Sequence, residues 1–84
     1  MTTDIDTDIR GILRDYARLS MDASDIGETD DLYAAGMTSH ASVTVMLACE
    51  DAWDVEFPQH LLKKSTFASI SAIRAALAEI GVAS

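Results

Sequence analysis

Apolar residues recur every three or four positions over residues 5 to 19, with charged residues between them. This spacing places the apolar side chains on one face of a helix, so we predict a first helix over residues 4 to 19.

The helical pattern ends after residue 19, because residues 20 to 38 are rich in aspartate, serine and glycine and hold only isolated apolar residues. We predict a long loop there, anchored in the core by Ile26, Leu32 and Tyr33.

A second helix is indicated after Ser39, as far as about Trp53. This stretch contains no glycine or proline, and four of its apolar residues are spaced as on one helical face. We expect that face to pack on the core. Its residues are Val43, Met46, Cys49 and Trp53.

The last part of the chain predicts a short turn and a final helix. Pro58 prevents simple continuation of the second helix, so residues 59 to 63 form only a short helical turn. A helix over residues 66 to 80 follows, with Ser65 and Thr66 as candidate caps and Gly81 as a left-handed stop. Three main helices, one short helix and no strand pattern predict an all-α fold, a small four-helix bundle. We expect one domain over residues 1 to 84.

Composition and charge narrow the function classes. The chain has 14 acidic and 6 basic residues and a formal net charge of −8. Because this charge repels phosphate backbones and anionic bilayers, we expect no nucleic acid and no membrane as a partner, and basic protein surfaces are favoured. A single cysteine, no long apolar run and no Arg-rich start predict a cytoplasmic protein.

Metal chemistry finds no support in the spacing of the candidate ligands. Aspartates alternate near the start as in half of a calcium loop, but Ile9 stands where that loop needs glycine. His40, Cys49 and His60 lack the spacing of a zinc site, so we predict no metal. We expect Cys49 to be a buried structural thiol and His60 to be solvated.

Ser39 is the candidate functional residue. It stands between a loop and the start of a helix, where backbone amides stabilise an attached anion such as a phosphodiester. A serine at the start of a helix is most often an ordinary cap, and its hydroxyl can also be modified. His40 splays about 100° from Ser39 on a helix and is poorly placed as its base. Met37 and Ala41 occupy the glycine positions of a nucleophile elbow, so we do not expect a serine hydrolase.

Three segments carry a resemblance to a known family: Asp31 to Ser39, Glu50 to Pro58, and Ser65 to Phe67. Together they resemble the acyl carrier and peptidyl carrier protein superfamily over nearly the whole chain. The resemblance implies a bundle of the acyl-carrier-protein type, with 4'-phosphopantetheine attached to Ser39 by a phosphopantetheinyl transferase. It also implies a protein that is not an enzyme but a monomeric carrier, whose cargo is a thioester of the arm.

A narrower resemblance concerns the run from Gly36 to His40 and the run from Lys63 to Phe67, which look like those of stand-alone aminoacyl carrier proteins. It implies glycine or alanine as cargo and a loading ligase that resembles a truncated seryl-tRNA synthetase. The downstream acceptor enzyme is unidentified. A carrier of fatty-acid or polyketide-type chains is the alternative. An acidic interaction module without a prosthetic group is the alternative from another class.

Helical geometry indicates which residues a partner contacts. Residues 40, 44 and 47 lie on adjoining turns, displaced from the expected core stripe. The alternative is that Leu47 enters the core together with Val45. The predicted partner-binding residues are Met37, Thr38, His40, Thr44 and Leu47.

Overall fold

The computed structural model describes residues 5 to 82 and contains three α-helices: α1 (Ile5–Tyr16), α2 (Ser39–Trp53) and α3 (Ile70–Ile80). Three short 3₁₀ helices lie between them: Ala23–Asp25, Gln59–Leu61 and Lys64–Phe67. The described residues contain no strand, and the predicted all-α class is confirmed. None of the helices in this range is long and apolar enough to cross a bilayer.

One apolar core joins the three α-helices and the long loop. Ile26 and Leu32 are almost completely buried, which confirms them as loop anchors, whereas Tyr33 is only partly buried. Full burial of a side chain of this size contributes about 1.5 to 3 kcal/mol, so the centre of the core dominates stability. Its largest fully buried side chains are Ile9, Leu13, Ile26, Leu32, Val45, Cys49, Ile70, Ile73 and Leu77.

Helix α1 ends earlier than the predicted residue 19. Arg18 has φ 56°, in the left-handed region, and an L-residue in that conformation cannot continue a right-handed helix. Within the predicted helix, Tyr16 is 45% exposed, whereas Ala17 is buried. The predicted start at Asp4 lies outside the described residues.

Helix α3 begins at Ile70 and not at residue 66. The hydroxyl of Ser69 accepts a hydrogen bond from the amide of Ala72 at 3.1 Å and caps the helix, so the cap lies three residues after Thr66. Thr66 itself is buried in the preceding 3₁₀ turn. Gly81 has φ 109° and ends α3 in the left-handed conformation, as predicted.

The face of α2 that packs on the core differs from our prediction. Its buried residues are Ala41, Ser42, Val45 and Cys49. Val43, expected in the core, is 50% exposed, and Met46 and Trp53 are only partly buried. Positions 43 and 45 lie about 200° apart around the helix axis, so burial of one exposes the other. Since α2 is apolar on both sides, its pattern alone did not decide between them.

Candidate functional site

An anchored turn positions the start of α2. Met37 is 3% exposed, and its amide donates to the carbonyl of Leu32 at 3.1 Å. Gly36 has φ 117°, and a Cβ at this position would approach the backbone nitrogen of Ser20 to 3.1 Å. Only glycine combines this backbone angle with such a close approach. The turn is therefore held on both sides, and it delivers Ser39 to the surface.

Four of the five predicted partner-binding residues remain accessible. Thr38 and His40 are exposed, Thr44 is partly exposed, and Leu47 is 54% exposed. Leu47 therefore does not enter the core, which contradicts that part of the alternative, whereas Val45 is completely buried, as the alternative expected. The prediction that Met37 contacts a partner is wrong. Its side chain anchors the turn in the core and is too buried to contact a partner.

Thr38, and not Ser39, caps α2. The Thr38 hydroxyl oxygen accepts a hydrogen bond from the amide of Ala41 at 3.0 Å, with the extended backbone of a cap residue. Ser39 is the first residue of the helix and is exposed. Its hydroxyl makes no hydrogen bond to any residue between 5 and 82, although its carbonyl accepts one from Ser42. The sequence had left Ser39 as either a helix cap or a modified residue. In the structure Thr38 is the cap, so the Ser39 hydroxyl is available for modification.

The start of α2 favours a negative group on Ser39. The first turn of this 15-residue helix contains no acidic side chain. Its first amides lack partners within the helix, and the helix dipole places partial positive charge there. A phosphodiester attached to the Ser39 hydroxyl would therefore be stabilised by the backbone.

A mostly apolar groove of about 420 Å³ opens beside Ser39, and we call it the serine groove. Tyr33 and Lys64 meet at its edge, since the Tyr33 hydroxyl donates to the Lys64 carbonyl at 3.1 Å and the Lys64 ammonium lies 4.8 Å from the centre of the Tyr33 ring. The remaining lining residues are Ser39, Ser42, Val43, Met46, Leu62, Lys63 and Phe67.

A second groove, the α1–α2 groove, opens on the other flank of the α2 start. It brings Thr38, His40 and Thr44 together with Asp15 and Arg18 from the end of α1. Tyr16 and Ala41 complete its lining. The predicted partner-binding residues Thr38, His40 and Thr44 therefore share one surface, whereas Ser39 lines the serine groove.

The other candidate chemical groups lie away from Ser39 in roles that do not point to catalysis. Cys49 is completely buried, and burial, aided by the charge of Glu50, raises the pKa of its thiol to about 12. The predicted structural thiol is confirmed. His60 is exposed and contacts the carboxylate of Glu79. No group of three or more metal-ligating side chains occurs in residues 5 to 82.

Sequence reasoning missed the serine groove. Val43 and Met46 were assigned to the core, and Leu62 was placed in a short turn without a role. One signal was present in the sequence: Val43, Val45, Met46 and Leu47 are all apolar and cannot all face one side of a helix. The excess indicates a second apolar surface.

Comparison with known proteins identifies the class. The family model described as a phosphopantetheine attachment site matches residues 7–79, which is most of the chain. The chain belongs to this phosphopantetheine attachment family of carrier proteins, and its cofactor is 4'-phosphopantetheine. Within that class it is similar to an aminoacyl carrier protein of Agrobacterium fabrum. The two are 49% identical over 65 residues, which cover 77% of this chain and 78% of the relative.

Solved structures agree with this assignment. A carrier protein from Agrobacterium tumefaciens, crystallised with an engineered Bradyrhizobium japonicum glycine:[carrier protein] ligase and ATP, is 43% identical, with a TM-score of 0.89. The match covers 92% of this chain and 100% of that chain. A solution structure of an Agrobacterium tumefaciens protein is 44% identical, covers 89% of this chain and 90% of that one, and has a TM-score of 0.71. The resemblance to aminoacyl carrier proteins and the carrier-protein fold are confirmed.

The residues at the start of α2 fit the cofactor of the family. The Ser39 hydroxyl is exposed and without a hydrogen-bond partner among the described residues, so it is available for a phosphodiester bond. The helix start suits the phosphate, and the apolar wall of the serine groove, which includes Val43, Met46 and Leu62, lies next to it.

Proposed function

We propose that Ser39 carries the 4'-phosphopantetheine arm and that the cargo is an aminoacyl group, glycine or alanine. The observation that carries the proposal is the division of roles at the start of α2. Thr38 caps the helix, which leaves the Ser39 hydroxyl exposed and unpartnered among the described residues. The bound arm supplies a thiol, which holds the cargo as a thioester.

The chain acts by presentation, and catalysis belongs to its partners. A phosphopantetheinyl transferase attaches the arm, an amino acid:carrier protein ligase resembling a truncated seryl-tRNA synthetase loads it, and an unidentified acceptor enzyme takes the cargo. Support for the ligase comes from the 43% identical relative that was crystallised with a glycine:[carrier protein] ligase. We assign this chain no metal and no catalytic residue.

We further propose that residues 1 to 84 form one monomeric carrier domain that binds neither nucleic acid nor membranes. The cytoplasmic location expected from the sequence stays a prediction. The net charge of −8 supports the exclusion of both anionic partners, because like charges repel at long range.

Partners are proposed to contact the exposed face at the start of α2. Thr38, His40 and Thr44 share the α1–α2 groove. Leu47 lies one turn beyond Thr44 and, at 54% exposure, adds apolar area that a partner would cover. A protein partner gains most from such an apolar contact placed beside polar ones.

The loading experiment tests the cargo. Holo protein is incubated with ATP, mixed amino acids and a glycine:[carrier protein] ligase, and the product is weighed intact. We expect one glycyl or alanyl group per molecule, which is released by hydroxylamine as a thioester should be. The apo protein and the Ser39→Ala variant are the controls and should gain nothing. Loading with fatty acyl groups alone would contradict the aminoacyl assignment.

A further inference from the structure

The basic residues of this acidic protein fall into two sets. The chain has 6 lysines and arginines, and three of them are held in structural contacts. Arg10 donates to two backbone carbonyls of the loop, Arg14 pairs with the neighbouring aspartate, and Arg74 pairs with two carboxylates. All three cations have carbonyl or carboxylate partners among the described residues, and the Arg14–Asp15 pair is exposed to solvent.

The other three basic residues line the two grooves at the start of α2. Lys63 and Lys64 line the serine groove, and Arg18 lines the α1–α2 groove beside His40. None of these three cations forms an ion pair with a carboxylate in residues 5 to 82. Asp15 is the one carboxylate among the described residues that line the two grooves, and it pairs with Arg14.

The far end of α2 has the opposite charge. Acidic residues cluster at its last turn and in the segment that follows, at positions 50, 51, 54 and 56. With a rise of 1.5 Å per residue, the acids at positions 50, 51 and 54 lie about 16 to 22 Å from the start of α2. The helix dipole adds partial positive charge at the start, so α2 separates a positive end, which carries Ser39, from a negative end.

We propose that Arg18, Lys63 and Lys64, which we call the cationic patch, dock on an acidic surface of the amino acid:carrier protein ligase. This inference rests on the proposed function. A net charge of −8 repels an acidic partner in most orientations, whereas the patch attracts it, so approach is favoured only with Ser39 facing the ligase. Total charge alone had favoured a basic partner surface.

The test removes two cations that have no structural contact. In the variant Arg18→Gln/Lys63→Gln, Lys64 keeps its position on the Tyr33 ring. Binding of apo protein to purified Bradyrhizobium japonicum glycine:[carrier protein] ligase is measured by calorimetry at about 0.01 M and about 0.15 M ionic strength, where the Debye length falls from about 30 to about 8 Å. We expect the double variant to bind about fivefold more weakly than wild type at low salt, and the difference to shrink with salt.

The matched control is Thr7→Glu/Ala52→Glu, which changes the net charge by the same amount. Both positions are exposed and line a groove at the far end of α2. At about 0.15 M ionic strength we expect this variant to change the dissociation constant less than twofold, because the Debye length of about 8 Å is shorter than the distance of about 20 Å to Ser39. At about 0.01 M, where the Debye length is about 30 Å, we expect a loss smaller than that of Arg18→Gln/Lys63→Gln. Circular dichroism checks that both variants are folded.

The outcomes separate this inference from the proposed function. Unchanged or tighter binding of Arg18→Gln/Lys63→Gln, or an equal loss in the control, overturns the acidic docking surface. So does a wild-type protein that accepts phosphopantetheine on Ser39 yet does not bind the ligase, and in that case the carrier assignment stands. A wild-type protein that accepts no phosphopantetheine overturns the proposed function itself.

Discussion

The buried and the exposed faces of α2 carry similar side chains in different surroundings. On one face Val45 and Cys49 are fully buried in the core. On the other, Val43 and Leu47 are about half exposed and lie near Ser39 along the same helix. The first face stabilises the bundle, and the second is free to contact an arm or a partner. Apolar character alone therefore does not separate stability from recognition in this helix.

A pair of valine substitutions gives the sharpest contrast between the faces. Val45→Asp buries a charge without a partner, and we expect it to lower the free energy of unfolding by at least about 4 kcal/mol. Val43→Asp places the same charge at the surface and should cost less than about 1 kcal/mol. Urea unfolding followed by circular dichroism measures both. Similar losses for the two variants would contradict the assignment of the faces.

The buried face also predicts a pH dependence. Burial raises the pKa of the Cys49 thiol from 9.0 to about 12, so the folded state holds its proton where the unfolded chain releases it. Stability from this thiol is complete below pH 9 and is lost as the pH rises towards 12. We expect a loss of about 1.4 kcal/mol over each pH unit in that window. The Cys49→Ala variant should lack this part of the slope, and equal slopes in both proteins would refute the burial effect.

The exposed face predicts a change in recognition without a change in stability. Leu47→Ala removes apolar area that a partner would cover, and we expect about fivefold weaker binding to the ligase, or about 1 kcal/mol. Its unfolding midpoint should stay at the wild-type value, because Leu47 is not part of the core. A shifted unfolding midpoint with unchanged ligase binding would show that Leu47 acts in the core and not in recognition.

The smallest predicted difference distinguishes Thr38 from its neighbour. Thr38→Ala removes the cap of α2, and we expect a loss of about 1 kcal/mol. Ser39→Ala should change the free energy of unfolding by less than about 0.5 kcal/mol, since the Ser39 hydroxyl has no hydrogen bond to a described residue. Thermal unfolding of the apo proteins measures the pair. A larger loss in the free energy of unfolding for Ser39→Ala than for Thr38→Ala would indicate that Ser39, and not Thr38, caps α2.

The sequence predicted the number of α-helices better than it predicted the residues at which they begin and end. Helical periodicity found all three α-helices, and Gly81 ended α3 as expected. The end of α1 depends on the left-handed conformation of Arg18, which no local signal in the sequence marks. α3 starts at Ile70 because Ser69 is its cap, and Thr66 is buried in the 3₁₀ turn before it.

The site was predictable in part. Ser39 was singled out from its place at a loop–helix junction and from the family resemblance. The sequence could not predict that Thr38 caps α2 in place of Ser39. Both are good cap residues, and only the backbone angles of the folded chain distinguish them. Val43 was misassigned for a related reason, since the rotation of α2 about its axis is set by contacts with distant elements. Met37 was misassigned because it lies in the turn before α2, and the packing of that turn buries its side chain.

The central claim is that Ser39 alone carries the arm. Wild type, Ser39→Ala and the control Ser42→Ala, which alters a serine of the same groove, are incubated with coenzyme A and a broad-specificity phosphopantetheinyl transferase and then weighed intact. We predict a gain of one phosphopantetheine for wild type and Ser42→Ala and no gain for Ser39→Ala. The same gain in Ser39→Ala, or no gain in wild type with several competent transferases, would contradict the account.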